Sequence, residues 1–279
     1  MQTLLKEVQG IDWGSGAVMN CVWRGPRVRD VLLAAGVRDE DNDVSVAFAS
    51  SVVPCEDTSW FGSSITIGRA LREDADVILA LEMNGEPLTK ERGFPVRALI
   101  PGVIGARSVK WLDHIMVQHG MSDNYYMNFD YKVLPEEAVD SESAMSFWGD
   151  TPPVIEAPVN SVVVSPMDGS TIEPDLLGYT VVKGYALPGG DDGPIIKVEV
   201  SADGENWSEA HLLTHEKDSK WTWTLWETKL KLEPGENRAI FSKATDRGGN
   251  TQPRLSSWNL RGVCYNGYGE VGNLRVRQT

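Results

Sequence analysis

Cysteine is scarce in this chain. Only Cys21, Cys55 and Cys264 occur among 279 residues, far apart, with no C-x-x-C pair and no zinc-ligand spacing. An odd, sparse count suits a reducing compartment. Histidine is nearly as rare. His211 and His215 stand four apart, but in a strand-like context where that spacing does not define one face, so they read as surface residues. No apolar run approaches the roughly 20 residues that span a bilayer. The opening MQTLLKEVQGIDW has neither a basic nor an apolar signal region, so no targeting signal is visible in it. Positive charge is in deficit: 26 Lys and Arg face 40 Asp and Glu, for a formal net charge of -14. The pI of about 4.7 excludes a nucleic-acid partner, because a polyanion is repelled overall. It does not exclude a small anion in a locally basic pocket. There is no internal repeat, dinucleotide fingerprint, P-loop, G-x-S-x-G or H-E-x-x-H.

Against that acidic background one stretch stands out. Arg92 to Trp111, RGFPVRALIPGVIGARSVKW, carries Arg92, Arg97, Arg107 and Lys110 and no carboxylate. Pro95, Pro101, Gly102 and Gly105 separate the cations, with apolar runs between. Such spacing holds basic groups on strand and loop backbone, where they could meet an anion. The competing reading is a β-hairpin whose arginines face water.

Hydrophobic content of 41% and charged content of 24% are those of a globular protein, and the length indicates about two domains. Up to residue 133 helix and strand patterns mix without a βαβ rhythm. Arg27–Val37 reads as a helix stopped by Gly36, with Val28, Val31, Leu32 and Ala35 on one face. Val44–Ala49, Val77–Met83, Phe94–Ile100 and Ser108–Gln118 read as strands. Pro54–Ser64 reads as a loop, Ile65–Arg72 as a short helix, and Asn84-Gly85 as a hairpin turn. The expectation is an α+β domain over 1–133. Residues 134–159, rich in proline and acid, read as a linker. Residues 160–279 read as all-β, with strands at Val162–Ser165, Tyr179–Ala186, Ile195–Ser201, Trp221–Lys231, Arg238–Ala244 and Asn273–Val276. Regular turns such as Asp203-Gly204 point to an immunoglobulin-like β-sandwich.

Four segments in order carry a resemblance: LALEMNGEPL, GFPVRALIPGVIGARSVKW, NFDYKVLP and WNLRGV. They resemble the sulfite oxidase family of molybdenum enzymes, over nearly the whole chain. The resemblance implies the later part of that family's molybdenum-cofactor domain, followed by its β-sandwich dimerisation domain. It implies a molybdenum–molybdopterin cofactor whose pterin bears a phosphate. Arg97 matches a cofactor-binding arginine, and Ser108, Val109 and Lys110 match a second cofactor-binding run. Arg92 stands where many members have histidine. A loop aspartate of the family falls here at Val52 or Val53, with Glu56 and Asp57 nearby.

The family's sulfite pocket maps onto Trp13, Tyr131 and Arg261. Arg261 is expected to orient the oxyanion, the Tyr131 hydroxyl to hydrogen-bond an oxygen, and Trp13 to keep the dielectric low. Tyr131 and Arg261 favour sulfite over nitrate, since nitrate reductases of this architecture generally lack both. The family's cysteine ligand to the metal belongs to a C-x-G-N-R-R segment, whose place is upstream of Met1. The expected function is therefore sulfite oxidation to sulfate, with a chain lacking its front part. The alternatives are a non-catalytic dimerisation and cofactor-contact module, or a nitrate reductase-type enzyme. Implied partners are sulfite, an external one-electron acceptor such as a cytochrome, or oxygen, and a second copy joined through 160–279. A mitochondrial intermembrane-space setting follows from resemblance only.

Overall fold

The computed structural model describes residues 6–10, 14, 16–38, 43–52, 54–55, 58–215 and 218–278. Trp13, Val53, Glu56 and Asp57 lie outside the described residues. Two compact units result, each made of discontinuous chain. The first comprises Met1–Gly10, Met19–Glu156 and Trp258–Val263. The second comprises Ile11–Val18, Ala157–Ser257 and Cys264–Thr279.

In the first unit β1 (Trp23–Arg24) precedes α1 (Val28–Ala34). Helix α1 buries Val28 and Leu32, whereas Val31 is exposed. Gly36, at φ +85°, donates to the Leu33 carbonyl and so ends the helix in a left-handed stop. β2 (Val44–Ser50) is central, flanked antiparallel by β3 (Phe61–Thr66) and β8 (His114–His119). All seven residues of β2 are buried, so the central strand is covered on both faces, while the edge strand β8 is largely exposed. α2 (Ile67–Leu71) follows β3, capped by the Thr66 hydroxyl. β4 (Ile78–Ala80) pairs with β7 (Arg97–Leu99), while β5 (Glu82–Met83) turns at Asn84-Gly85 into β6 (Glu86–Pro87). Positive φ at Asn84 and Gly85 fits the turn expected there. α3 (Tyr125–Asn128) and α4 (Ser141–Ala144) are single turns.

Several expectations need correction. Phe61–Ser64, read as loop, is strand: Ser63 and Ser64 are polar yet buried, the latter accepting the Ser122 amide. Residues 108–113 are not strand, because their backbone serves Arg97 and Ala98 instead. Residues 134–156 are no extended linker. Leu134, Ala138 and Ala144 bury against Trp258 and Leu260, while Glu136 and Glu137 point outward. A capping box at Asp140 starts α4 in that stretch. Trp258–Val263, expected within the sandwich, belongs to the first unit: Gln9 N–H donates to the Leu260 carbonyl at 2.7 Å.

The second unit is a two-sheet sandwich. One sheet orders β14 (His211–Leu213), β15 (Thr224–Lys231), β11 (Tyr179–Leu187) and β9 (Asn160–Ser165). The other orders β10 (Thr171–Ile172), β17 (Gly269–Val276), β16 (Gly235–Asp246), β12 (Ile195–Ser201) and β13 (Trp207–Glu209). Their inner faces share one core that includes Val182, Val198, Trp226, Ile240 and Leu274. Trp226 fits because residue 184 is glycine: a Cβ there would stand 2.3 Å from the indole. The six strands expected from alternation are present, and β10, β13 and β14 are additions. His211 and His215 are exposed.

Candidate functional site

The first unit assembles two groups of candidate residues. The first is built on β7 and the chain on either side of it. Arg97 is 8% exposed, and its guanidinium donates to two carbonyls, Arg92 O at 3.3 Å and Ser108 O at 3.2 Å. Its Nε is buried with no hydrogen-bond partner. Trp23 of β1 lies under the guanidinium, 5.2 Å from ring centroid to Cζ. Lys110 donates to the Glu91 carbonyl at 2.9 Å. Among the described residues Arg97 and Lys110 form no ion pair with a carboxylate, and the Arg92 charge reaches the neighbouring Glu91.

Burial, and secondarily the Arg92 charge, pull the Arg97 guanidinium below its ordinary value. Burial, then Arg97 and Arg92, do the same to the Lys110 ammonium. These cations repel one another at a half-buried site, which an anion would relieve. Gly93, at φ +103°, lets the Lys110 and Arg97 side chains approach the backbone, because a Cβ there would meet Lys110 Cβ at 2.9 Å and Arg97 Cβ at 3.2 Å. Ser108 supplies the carbonyl that holds Arg97, and its hydroxyl accepts the Ile100 amide at 3.1 Å. Val109 is core: its amide donates to Arg107 O and its carbonyl accepts from Ala98.

The second group brings Tyr131 and Arg261 together around a residue the sequence reading did not single out. Arg261 Nη2 donates to Asp130 Oδ1 at 2.9 Å, and Nη1 donates to the Gln9 carbonyl at 3.2 Å. The same Asp130 oxygen accepts the Tyr131 backbone N–H at 2.9 Å. Arg107 lies beneath the Tyr131 ring, 5.6 Å from Cζ to centroid. Burial, then the Asp130 charge, push the Tyr131 hydroxyl up, against a downward pull from Arg107 and Arg261. Beside Arg261 a cavity of about 370 Å³ opens, walled by Tyr125, Phe129, Met145, Trp148 and Leu260. Its apolar wall weakens solvent screening of the arginine. Asp130 had one sequence signal, its place beside Tyr131 in DYK.

Residues 1–126 match the oxidoreductase molybdopterin-binding domain, and residues 151–273 match the Mo-co oxidoreductase dimerisation domain. The sulfite oxidase of Arabidopsis thaliana is 36% identical, over 93% of this chain and 68% of its own length. The chain belongs to the sulfite oxidase family of molybdopterin oxidoreductases. Human mitochondrial sulfite oxidase is 39% identical over 96% of this chain and 49% of its own length. The chain thus spans about half the length of the mitochondrial relatives it matches. A rice nitrate reductase [NADH] is also 39% identical, over 95% of this chain and 30% of its own. The fold is like that of the sulfane dehydrogenase SoxCD from Paracoccus pantotrophus, with TM-score 0.65, 23% identity, 90% of this chain and 61% of that one covered.

A molybdopterin-binding domain implies the molybdenum–molybdopterin cofactor, and the first group fits its phosphate. The buried Arg97 with its unpartnered Nε, and the Lys110 ammonium packed close to it over Gly93, suit such an anion. Metal ligation is a separate matter. Among the described residues no group of three or more His, Cys, Asp or Glu could hold an ion. None of the three cysteines is in a disulfide, and burial pushes the Cys55 thiol up, away from a ligating thiolate. Among the described residues no helix is long and apolar enough to cross a membrane.

Proposed function

We propose that this chain supplies the substrate-orienting side of a molybdenum enzyme that oxidises sulfite to sulfate. The observation that carries the proposal is the meeting of Tyr131 and Arg261, far apart in sequence, at Asp130. The charges that act on the Tyr131 hydroxyl, Arg107, Arg261 and Asp130, sum to one net positive charge. Arg261 attracts and orients the sulfite oxyanion, and the Tyr131 hydroxyl donates to one of its oxygens. The largely apolar wall beside Arg261 reduces solvent screening of its charge. Arg97, Lys110 and Arg92 would hold the cofactor's phosphate, with Ser108 and Val109 fixing Arg97 and the strand that carries it. When bound, the cofactor supplies oxo transfer and two-electron redox chemistry. Trp13 is kept as a pocket residue by resemblance alone. The electrons pass to an external acceptor, a cytochrome or oxygen. Residues 151–273, matching a dimerisation domain, would join two copies.

Sulfite-dependent ferricyanide reduction by chain purified from a host that makes the pterin tests the proposal, with molybdenum content measured alongside. Turnover that Arg261→Gln lowers supports it. A metal-loaded chain whose sulfite turnover is indifferent to Arg261 removes the assigned pocket. Nitrate reduction is the second reading, because the rice nitrate reductase is as similar overall as the human sulfite oxidase. Nitrate-dependent oxidation of a reduced dye without sulfite turnover would establish it. Metal-free chain that still dimerises would leave a dimerisation and cofactor-contact module.

A further inference from the structure

Tyr131 is held in an expensive conformation. Its φ is +50°, in the left-handed region that a bulky residue occupies only when its surroundings fix it there. Both ends of its peptide are pinned. Its N–H donates to Asp130 Oδ1, and its carbonyl accepts the Val154 N–H at 2.8 Å. Val154 is anchored in turn by Arg107, whose Nε and Nη2 donate to the Val154 carbonyl at 3.0 and 2.9 Å. The third nitrogen, Nη1, donates to the Tyr126 carbonyl at 2.8 Å. Arg107 therefore ties α3 and residue 154 together under the Tyr131 ring, and it is completely buried.

A buried guanidinium is costly, and a neutral side chain could brace two carbonyls at less cost. Its charge acts on the groups packed around it. The ring of Tyr131 lies over it, and a cation near a phenol strengthens the hydroxyl as a hydrogen-bond donor. We infer that Arg107 is the positioning residue of Tyr131: it fixes the left-handed backbone through Val154 and polarises the hydroxyl toward an anionic oxygen. This rests on Tyr131 serving the substrate. Arg107 is thereby separated from the other cations of its stretch, which face the first group. The charged groups that act on the Tyr131 hydroxyl are Asp130, Arg107 and Arg261.

The test is ¹³Cζ-tyrosine NMR on the whole chain, with Tyr131→Phe identifying the signal. Arg107→Gln should move the Tyr131 titration upward, and Arg107→Lys should return it toward the parent. A folded Arg107→Gln chain with an unmoved Tyr131 titration overturns the inference, since a bracing role alone predicts no rescue by charge. Should neither variant fold, the parent decides. A slowly exchanging Val154 amide and a positive-φ coupling at Tyr131 support the clamp, and fast exchange with a negative φ overturns it. The functional reading fails separately: Tyr131→Phe with undiminished sulfite turnover removes Tyr131 from the reaction and leaves the NMR result standing.

Discussion

The Arg261 guanidinium donates to Asp130 at 2.9 Å across 131 positions of sequence. Neither side chain is as much as a third exposed, so solvent screens the pair only partly. Removing the acceptor should cost more than a surface ion pair would. Asp130→Ala should lower stability by about 1.5–3 kcal/mol, the range for hydrogen bonds to charged groups, read from urea unfolding. In metal-loaded chain the same change should raise KM for sulfite, because Arg261 loses its fixed direction. An unfolding midpoint equal to the parent's would show that the pair contributes nothing.

The Arg92, Arg97 and Lys110 group should behave as an anion site before any cofactor is present. Inorganic pyrophosphate should raise the melting temperature of the metal-free chain, by mass action on the folded state. Arg97→Ala should weaken that response roughly tenfold to a hundredfold in apparent affinity, as expected for lost charge-assisted hydrogen bonds. A response of equal size in Arg97→Ala would place the anion elsewhere.

Stability should depend on pH with two opposed slopes. Lys110 is held below its ordinary value of 10.5, so just below that value the folded chain binds fewer protons than the unfolded chain. Stability from Lys110 therefore rises with pH in that window. Tyr131 is held above its ordinary value of 10.0, so above that pH the unfolded chain ionises first and stability falls. Lys110→Met should flatten the rising part, and Tyr131→Phe should soften the fall. Melting temperatures from pH 8 to 11 would show both.

Gly184→Ala should destabilise the sandwich by at least about 2 kcal/mol, since the clash is with backbone and a buried ring. The added Cβ would stand 2.0 Å from the Val162 carbonyl oxygen. Guanidinium unfolding followed by tryptophan fluorescence reports it directly, because Trp226 is the ring displaced.

How much of this was legible in the sequence depended on whether polarity and burial agreed. In β12 they agree at Val198 and Val200, which are buried, and the limits at Ile195 and Ser201 could be read directly, although Ile196 is exposed and Ser201 buried. In β3 they disagree. Gly62, Ser63 and Ser64 look like loop, but they are buried and Ser64 is satisfied by Ser122. The stretch after Leu134 misled for the same reason in reverse. Its acids face outward, and a few small or apolar residues carry the packing. Among the site residues the basic stretch was readable because it runs against the net charge. What spacing could not show is that Arg107 turns to Tyr131 while Arg97 and Lys110 do not. Asp130 was hidden because an acid beside a tyrosine is unremarked until a distant arginine arrives.

Trp258–Val263 has a consequence for synthesis. The cluster of Leu134, Ala138 and Ala144 is closed by Trp258 and Leu260. Those residues are made after the strands β9 to β16, so the first unit cannot finish its core while the ribosome is still translating the sandwich. Folding from the N-terminus, the usual order for successive domains, is interrupted here. The earlier-made part of the molecule waits for its last six residues, and Arg261 arrives with them.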